Sequence, residues 1–254
     1  MKIQIIVSIF ALLLGVGAAS AQATSPPKEY SLSVSRHIAV PDLSVADVNR
    51  ILADASKMLQ TNRGHACNVK FTLRGSIGTF GSPNTPTANI PSKVDADHIE
   101  AVHSVDSGVD SDVHIKVVEE IKPRCFGPPH AFQGCSFPHR FRSIIVVHPD
   151  KHTVNVEGID KLVTRVFPHT KFPDHLLWAH EFGHLTGLNH RTTVPPMDDM
   201  RDRCEHATDR DRCALMRDRD VIHFALEAAL DRVQVDEREC NCFLGGPKSS
   251  ETCP

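Results

Sequence analysis

The sequence predicts an α+β fold on three observations. Strand-like segments of period two gather early in the chain, at 30–34, 69–73 and 113–117, and a continuous apolar run follows at 144–147. Amphipathic helical patterns stand apart from them, at 42–60 and 220–233. A third helical stretch opens at Pro173-Asp174 and leads into Trp178–His190, which reads W-A-H-E-F-G-H-L-T-G-L-N-H. Strands and helices segregated in this way suit an α+β arrangement around one core.

Taken in order, residues 1–23 read as a secretory signal peptide. Lys2 supplies the positive start, Ile3–Val16 is mostly apolar, and Ala19-Ser20-Ala21 and Ala21-Gln22-Ala23 are small-x-small cleavage sites. The apolar core is shorter than the roughly 20 residues a membrane span needs. A soluble, exported chain of one domain (24–254), extracellular or periplasmic, is therefore expected.

Tyr30, Leu32 and Val34 alternate with serines as a first strand. The helix of 42–60 follows. Ser44 is placed to cap it, with Asp47 three residues on, and Val45, Val48, Ile51, Leu52, Ala55 and Leu59 form its apolar stripe. Val69, Phe71 and Leu73 mark a second strand. Residues 75–97 hold six Gly and Pro breakers and read as a long loop. Val113, Ile115 and Val117 mark a third strand. Residues 123–139 read as an irregular loop holding Cys125 and Cys135. Ile144–Val147 reads as a buried strand, forming a hairpin with Val154 and Val156 across the turn Pro149-Asp150-Lys151. Asp174 is placed to cap the motif helix, which Leu176, Leu177, Trp178, Phe182 and Leu185 should bury. Ile222, Ala225, Leu226, Ala229 and Val233 give the last helix a core face, and the tail from Cys240 reads as loop.

The motif stretch carries the chemistry. His180, Glu181, His184, Gly187 and His190 stand in the pattern H-E-x-x-H-x-x-G-x-x-H. His180 and His184 share one helix face about one turn apart, so two neutral imidazoles can hold one zinc ion from the same side. Glu181 sits beside the first ligand as a candidate general base. Gly187 is free to take the positive φ that stops the helix, and the turned chain can present His190 as third ligand. Three protein ligands leave a zinc position open, which is the catalytic arrangement. Although the chain has 16 His, its own composition would produce this pattern by chance on the order of once in 10⁴ such chains.

This motif resembles that of the metzincin clan of zinc endopeptidases. The resemblance implies a twisted, mostly parallel five-stranded sheet with an antiparallel edge strand. It implies an N-terminal subdomain of about 28–187 and a C-terminal subdomain of about 188–254, the latter with a methionine turn beneath the metal and a final helix. Met197, Met200 and Met216 are candidates for that turn. Met216, in Cys213-Ala214-Leu215-Met216 before the last helix, fits the resemblance best, as a soft floor and not a ligand. Some members use a Tyr near this turn as an extra ligand or oxyanion donor. The single Tyr here, Tyr30, lies far upstream, so that role is vacant or filled otherwise. Arg191, after the third ligand, points to no particular subfamily. The resemblance further implies one catalytic Zn2+ and a protein or peptide substrate lying antiparallel on the edge strand, which one of the two hairpin strands should supply.

Eight cysteines lie beyond residue 23, an even number that argues for disulfides in an exported chain. Local closure favours Cys125–Cys135 and Cys204–Cys213, Cys67 would then join the C-terminal cluster, and a cluster pair would remain; connectivity stays open. Pro123-Arg124-Cys125 resembles the propeptide switch of matrixins, but it lies among strands the domain needs and departs from that pattern after Cys125, which favours the disulfide. Asp106, Asp110 and Asp112 could offer oxygens to calcium, but they do not match an EF-hand loop, so calcium is unsupported. A formal net charge of −3 gives no reason to expect nucleic acid or an anionic membrane, and a monomer is expected. No phosphate-binding Gly loop and no Ser nucleophile elbow occurs. Besides the endopeptidase, two functions fit: a catalytically silent binding or inhibitory protein that keeps the zinc site, and a zinc hydrolase of non-peptide bonds. The intact Glu181 weighs against the silent protein.

Overall fold

The computed structural model describes residues 25–62, 65–82, 90–95, 97–105, 110–122, 134–137, 141–148, 174–190, 215–216 and 235–247. The first strand, β1 (Lys28–His37), buries Tyr30, Leu32 and Val34 on one face. The chain then enters α1 (Val45–Gln60), where Ser44 Oγ accepts the Asp47 N–H at 3.0 Å and so satisfies one of the unpaired donors of the first turn. The stripe Val48, Ile51, Leu52, Ala55 and Leu59 is buried as its spacing predicts, but Val45 is 45% exposed. Val45 is the first residue of the helix.

Next come β2 (Val69–Leu73), β3 (Gly78–Phe80), β4 (Lys93–Val94) and the short α2 (Ile99–Ser104). They are followed by β5 (Val113–Val118), β6 (Glu120–Ile121), β7 (Gly134–Phe137) and β8 (Ser143–Val147). The helices α3 (Asp174–Leu185) and α4 (Glu237–Gly245) complete the described elements.

The main sheet runs β2-β1-β5-β8-β7, with β3 also paired to β1. β2 pairs with the first half of β1 and β3 with its end, so the two occupy successive parts of its length. Every pairing is parallel except the outermost, in which Gly134–Phe137 runs antiparallel against Ser143–Val146. This is the α+β architecture that the sequence pattern predicts, with the mostly parallel, five-strand-wide sheet that the resemblance implies. Four assignments are corrected. Residues 75–97 are not loop throughout, since β3 and β4 lie within them. Residues 123–139 are not loop throughout either, since β7 lies there. The run Ile144–Val147 is an interior strand between β5 and β7, and among the described residues the antiparallel edge is β7, which precedes it. The tail beyond Cys240 is helical to Gly245. Asp236 and Glu239 close a reciprocal capping box at its start. The expected signal peptide, the strand at Val154 and Val156 and the helix of 220–233 lie outside the described residues. No helix among the described residues is long and apolar enough to cross a membrane.

One face of the sheet packs on α1, α3 and α4 through a cluster that includes Leu32, Ile51, Phe71, Ile115, Val146, Trp178, Phe182 and Phe243. The opposite face carries a smaller cluster of Phe80, Val94, Ile99, Val102, Val118, Ile121, Ile145 and Val147. Burial on both faces accounts for the unbroken apolar run of β8.

α4 is tied down at three points. Cys240 is bonded to Cys67 just before β2, a link of sequence separation 173. This is the pairing of Cys67 with the C-terminal cluster that the sequence suggests, and it is consistent with an oxidising compartment. Cys242 is also held in a disulfide. The buried Tyr30 hydroxyl donates to the carbonyl of Phe243 (2.7 Å), with that of Leu244 at 3.1 Å. Burial pushes the Tyr30 phenol up to about 12, so it stays protonated and keeps donating. Cys125, Cys204 and Cys213 lie outside the described residues.

Closing so long a loop restricts the unfolded chain strongly, by roughly 5 kcal/mol in the chain-entropy model. The double variant Cys67→Ser/Cys240→Ser should therefore lose about 2–5 kcal/mol of unfolding free energy in denaturant titration. An unchanged midpoint and slope would show that this link contributes nothing.

Candidate metal centre

The motif helix is held by what surrounds it. Leu176, Leu177, Trp178, Ala179, Phe182 and Leu185 are buried, and Phe182 meets Tyr30 and Phe71 at centroid distances of 4.9 and 4.8 Å. Asp174 is the first helical residue, not the cap. At the other end the Leu188 N–H reaches back to the Gly183 carbonyl (3.1 Å) and the Gly187 N–H to the His184 carbonyl (3.0 Å). This paired 6→1 and 5→2 closure is a Schellman motif, and it needs a left-handed residue at Gly187, where φ is 91°. The reversal carries His190 back over the face that bears His180 and His184.

The three rings meet through their Nε2 atoms. His180 and His184 Nε2 lie 3.1 Å apart, His180 and His190 3.1 Å, and His184 and His190 2.9 Å. A tetrahedral zinc site with bonds of about 2.0–2.1 Å separates its ligand nitrogens by about 3.3 Å, so the observed triangle fits one ion after a small expansion. These contacts are not a ring of hydrogen bonds. His180 Nδ1 lies 2.7 Å from the Leu215 carbonyl and His184 Nδ1 2.7 Å from the Leu188 carbonyl. A carbonyl only accepts, so in the neutral rings each Nδ1 carries the hydrogen and each Nε2 presents a lone pair. Converging lone pairs repel unless a cation lies between them, and the donor set is the nitrogen set that zinc accepts. Among the described residues this is the one group of His, Cys, Asp or Glu able to hold a metal ion. Burial pushes the His180 imidazole well below its ordinary range, reinforced by His184, so it stays neutral and able to ligate.

Glu181 is buried on the side of α3 that faces the edge strand. Its Oε2 lies 2.5 Å from Ser136 Oγ, and its own carbonyl oxygen lies 2.7 Å from the same hydroxyl. A Cβ at Gly134 would fall 2.5–2.7 Å from Glu181 Oε1, Cδ and Cγ, so only glycine leaves room for the carboxylate. Burial pushes the Glu181 carboxyl up, while His184 and the Ser136 hydrogen bond pull it down.

Met216 sits fully buried in a turn with Leu215. A Cβ at Gly183 would lie 2.3 Å from Met216 Sδ and 3.3 Å from Phe243 Cζ. Met216 thus packs against the bare backbone of α3 between the two helical histidines, and its neighbour Leu215 supplies the carbonyl that orients His180. Met197, Met200, Asp106 and Arg191 lie outside the described residues. Asp110 pairs with Arg74 at 3.1 Å, and Asp112 accepts from Ser31 N and Oγ at 2.7 and 2.9 Å, so these two carboxylates are engaged by protein donors. Tyr30 is committed to capping α4. The contacts that sequence reasoning misses are Ser136 and Gly134 on β7 and the carbonyls of Leu188 and Leu215.

No family model matches the chain, and no curated protein matches it. Among solved structures it is similar to a chain from one described as "Structure of a chaperone-substrate complex". The match has 10% identity and a TM-score of 0.37 and covers 66% of this chain. This chain spans 28% of that one, and a likeness this slight carries no argument about fold or function.

Gly-to-Ala changes inside a helix normally stabilise by roughly 1 kcal/mol. Gly183→Ala should do the reverse, costing about 1–3 kcal/mol of unfolding free energy by overpacking against Met216. The penalty should shrink in a Met216→Ala background. A gain in stability for Gly183→Ala alone would contradict the packing described for Met216.

Proposed function

We propose that the protein is an exported zinc-dependent endopeptidase. The observation that carries this reading is the convergence of three histidine Nε2 atoms, two of them in fixed tautomers, beside a buried Glu181 that lies against the sheet's edge strand. His180, His184 and His190 would hold the ion. When bound, zinc would supply a Lewis acid that acidifies water and polarises a carbonyl oxygen. Glu181 would take a proton on its carboxylate from the attacking water and pass it to the leaving amine.

Support for a peptide substrate comes from topology. β7 is the outermost strand of the sheet in the described residues and packs against α3, with Ser136 in contact with Glu181. An extended peptide could add there through main-chain hydrogen bonds, antiparallel to the strand as the metzincin resemblance implies. Leu215–Met216 would form the floor of the site in the manner of the clan's methionine turn. The same resemblance divides the chain near residue 187 into two subdomains.

The test compares wild type and Glu181→Ala on casein and a broad peptide library, with and without chelator. Wild type should cleave in a chelator-sensitive manner. Glu181→Ala should keep its zinc and lose on the order of 10²–10⁴-fold in rate. A zinc-loaded wild type with no chelator-sensitive cleavage of any of these substrates would sink the peptidase reading.

A further inference from the structure

The edge strand offers α3 two unusually small residues. Along β7 the side chains alternate: Cys135 and Phe137 pack against the cluster on the far face of the sheet, while Gly134 and Ser136 face Glu181. Their effects on the carboxylate differ. Gly134 leaves a gap that a single methyl group would fill, and Glu181 Oε1, Cδ and Cγ occupy it. Ser136 places its hydroxyl within 2.5 Å of Oε2 and 2.7 Å of the backbone carbonyl of the same residue. The hydroxyl has one hydrogen to give, and an ionised carboxylate accepts it more strongly than a neutral backbone carbonyl. A buried carboxylate on a side chain with three rotatable bonds needs such a partner to hold one orientation.

We propose that Ser136 is the positioning residue of Glu181: its hydroxyl holds Oε2 while Oε1 lies over the bare backbone of Gly134, so that the carboxylate keeps one orientation. This rests on the peptidase reading, in which Glu181 is the base. Because Ser136 belongs to the strand on which the peptide would be laid, one element would align both the scissile bond and the base. Small displacements at that juncture cost rate more than affinity, since misplacing a reacting group by about 1 Å can cost 10²-fold.

The experiment measures Ser136→Ala, Ser136→Thr and Gly134→Ala in the zinc-loaded protein, beside wild type. Ser136→Ala should keep stoichiometric zinc and lower kcat roughly ten- to hundred-fold with little change in KM. Ser136→Thr, which keeps the hydroxyl, should recover most of that loss. A readout independent of turnover is a thermal double-mutant cycle with Glu181→Ala. Ser136→Ala and Gly134→Ala should each lower Tm by about 2–6 °C in the wild-type background and by much less without the Glu181 side chain. If Ser136→Ala does not fold, Gly134→Ala in the two backgrounds still reads the seat of the carboxylate. Wild-type kcat in Ser136→Ala, or equal Tm losses in both backgrounds, overturns the proposal while leaving the peptidase reading intact. Absence of any cleavage by wild type removes that reading instead, and the thermal cycle then reports on Ser136 alone.

Discussion

Two backbone carbonyls decide what the histidines are. An imidazole in water interconverts between tautomers, and a helix that merely carried His180 and His184 would fix neither ring. Here Leu215 and Leu188 each accept from an Nδ1–H, and both Nε2 lone pairs are turned to one point, where His190 joins them. That constraint is what leaves the cluster able to hold a metal ion, where three merely neighbouring side chains would not be. It also depends on distant parts of the chain, since Leu188 lies beyond the Gly187 reversal and Leu215 comes from a separate turn.

Much of the remaining architecture holds those carbonyls in place. α3 packs on the sheet through Phe182 against Phe71, and Gly183 lets Met216 approach its backbone closely. Phe243 of α4 closes the same pocket and stacks on Phe182 at 6.0 Å between centroids. α4 is in turn fixed by the Cys67–Cys240 link and by Tyr30 from β1. The sole tyrosine of the chain is thus a support of the site's floor. The far side of the site is the edge strand, which seats Glu181.

The parts legible in the sequence are those whose signal is local. Tyr30, Leu32 and Val34 announce β1 by alternation, the stripe from Val48 to Leu59 announces α1, and five residues at fixed spacing announce the ligand helix and its Gly187 stop. The local pairs leave Cys67 to the C-terminal cluster, and Cys240 is its partner. β7 was hidden because four residues in a stretch rich in Gly, Pro and Cys cannot show a period. β3, β4 and α2 are equally short. The helix of α4 was within reach, since Asp236 and Glu239 stand at capping-box spacing, but the cysteines around it suggested a stapled loop. The contacts of Ser136, Leu188 and Leu215 were out of reach for a different reason. They join residues through hydroxyl and backbone atoms, Ser136 across 45 positions and Leu215 across 35, and no pattern of residue types encodes them.

The measurement closest to the central claim is X-ray absorption at the zinc edge of the loaded protein. Three histidines with Nδ1 tied to carbonyls should give a first shell of three nitrogens and one light atom at about 2.0–2.1 Å, with imidazole scattering from three rings. Fewer than three imidazoles, or a sulfur near 2.3 Å from one of the cysteines, would contradict the account.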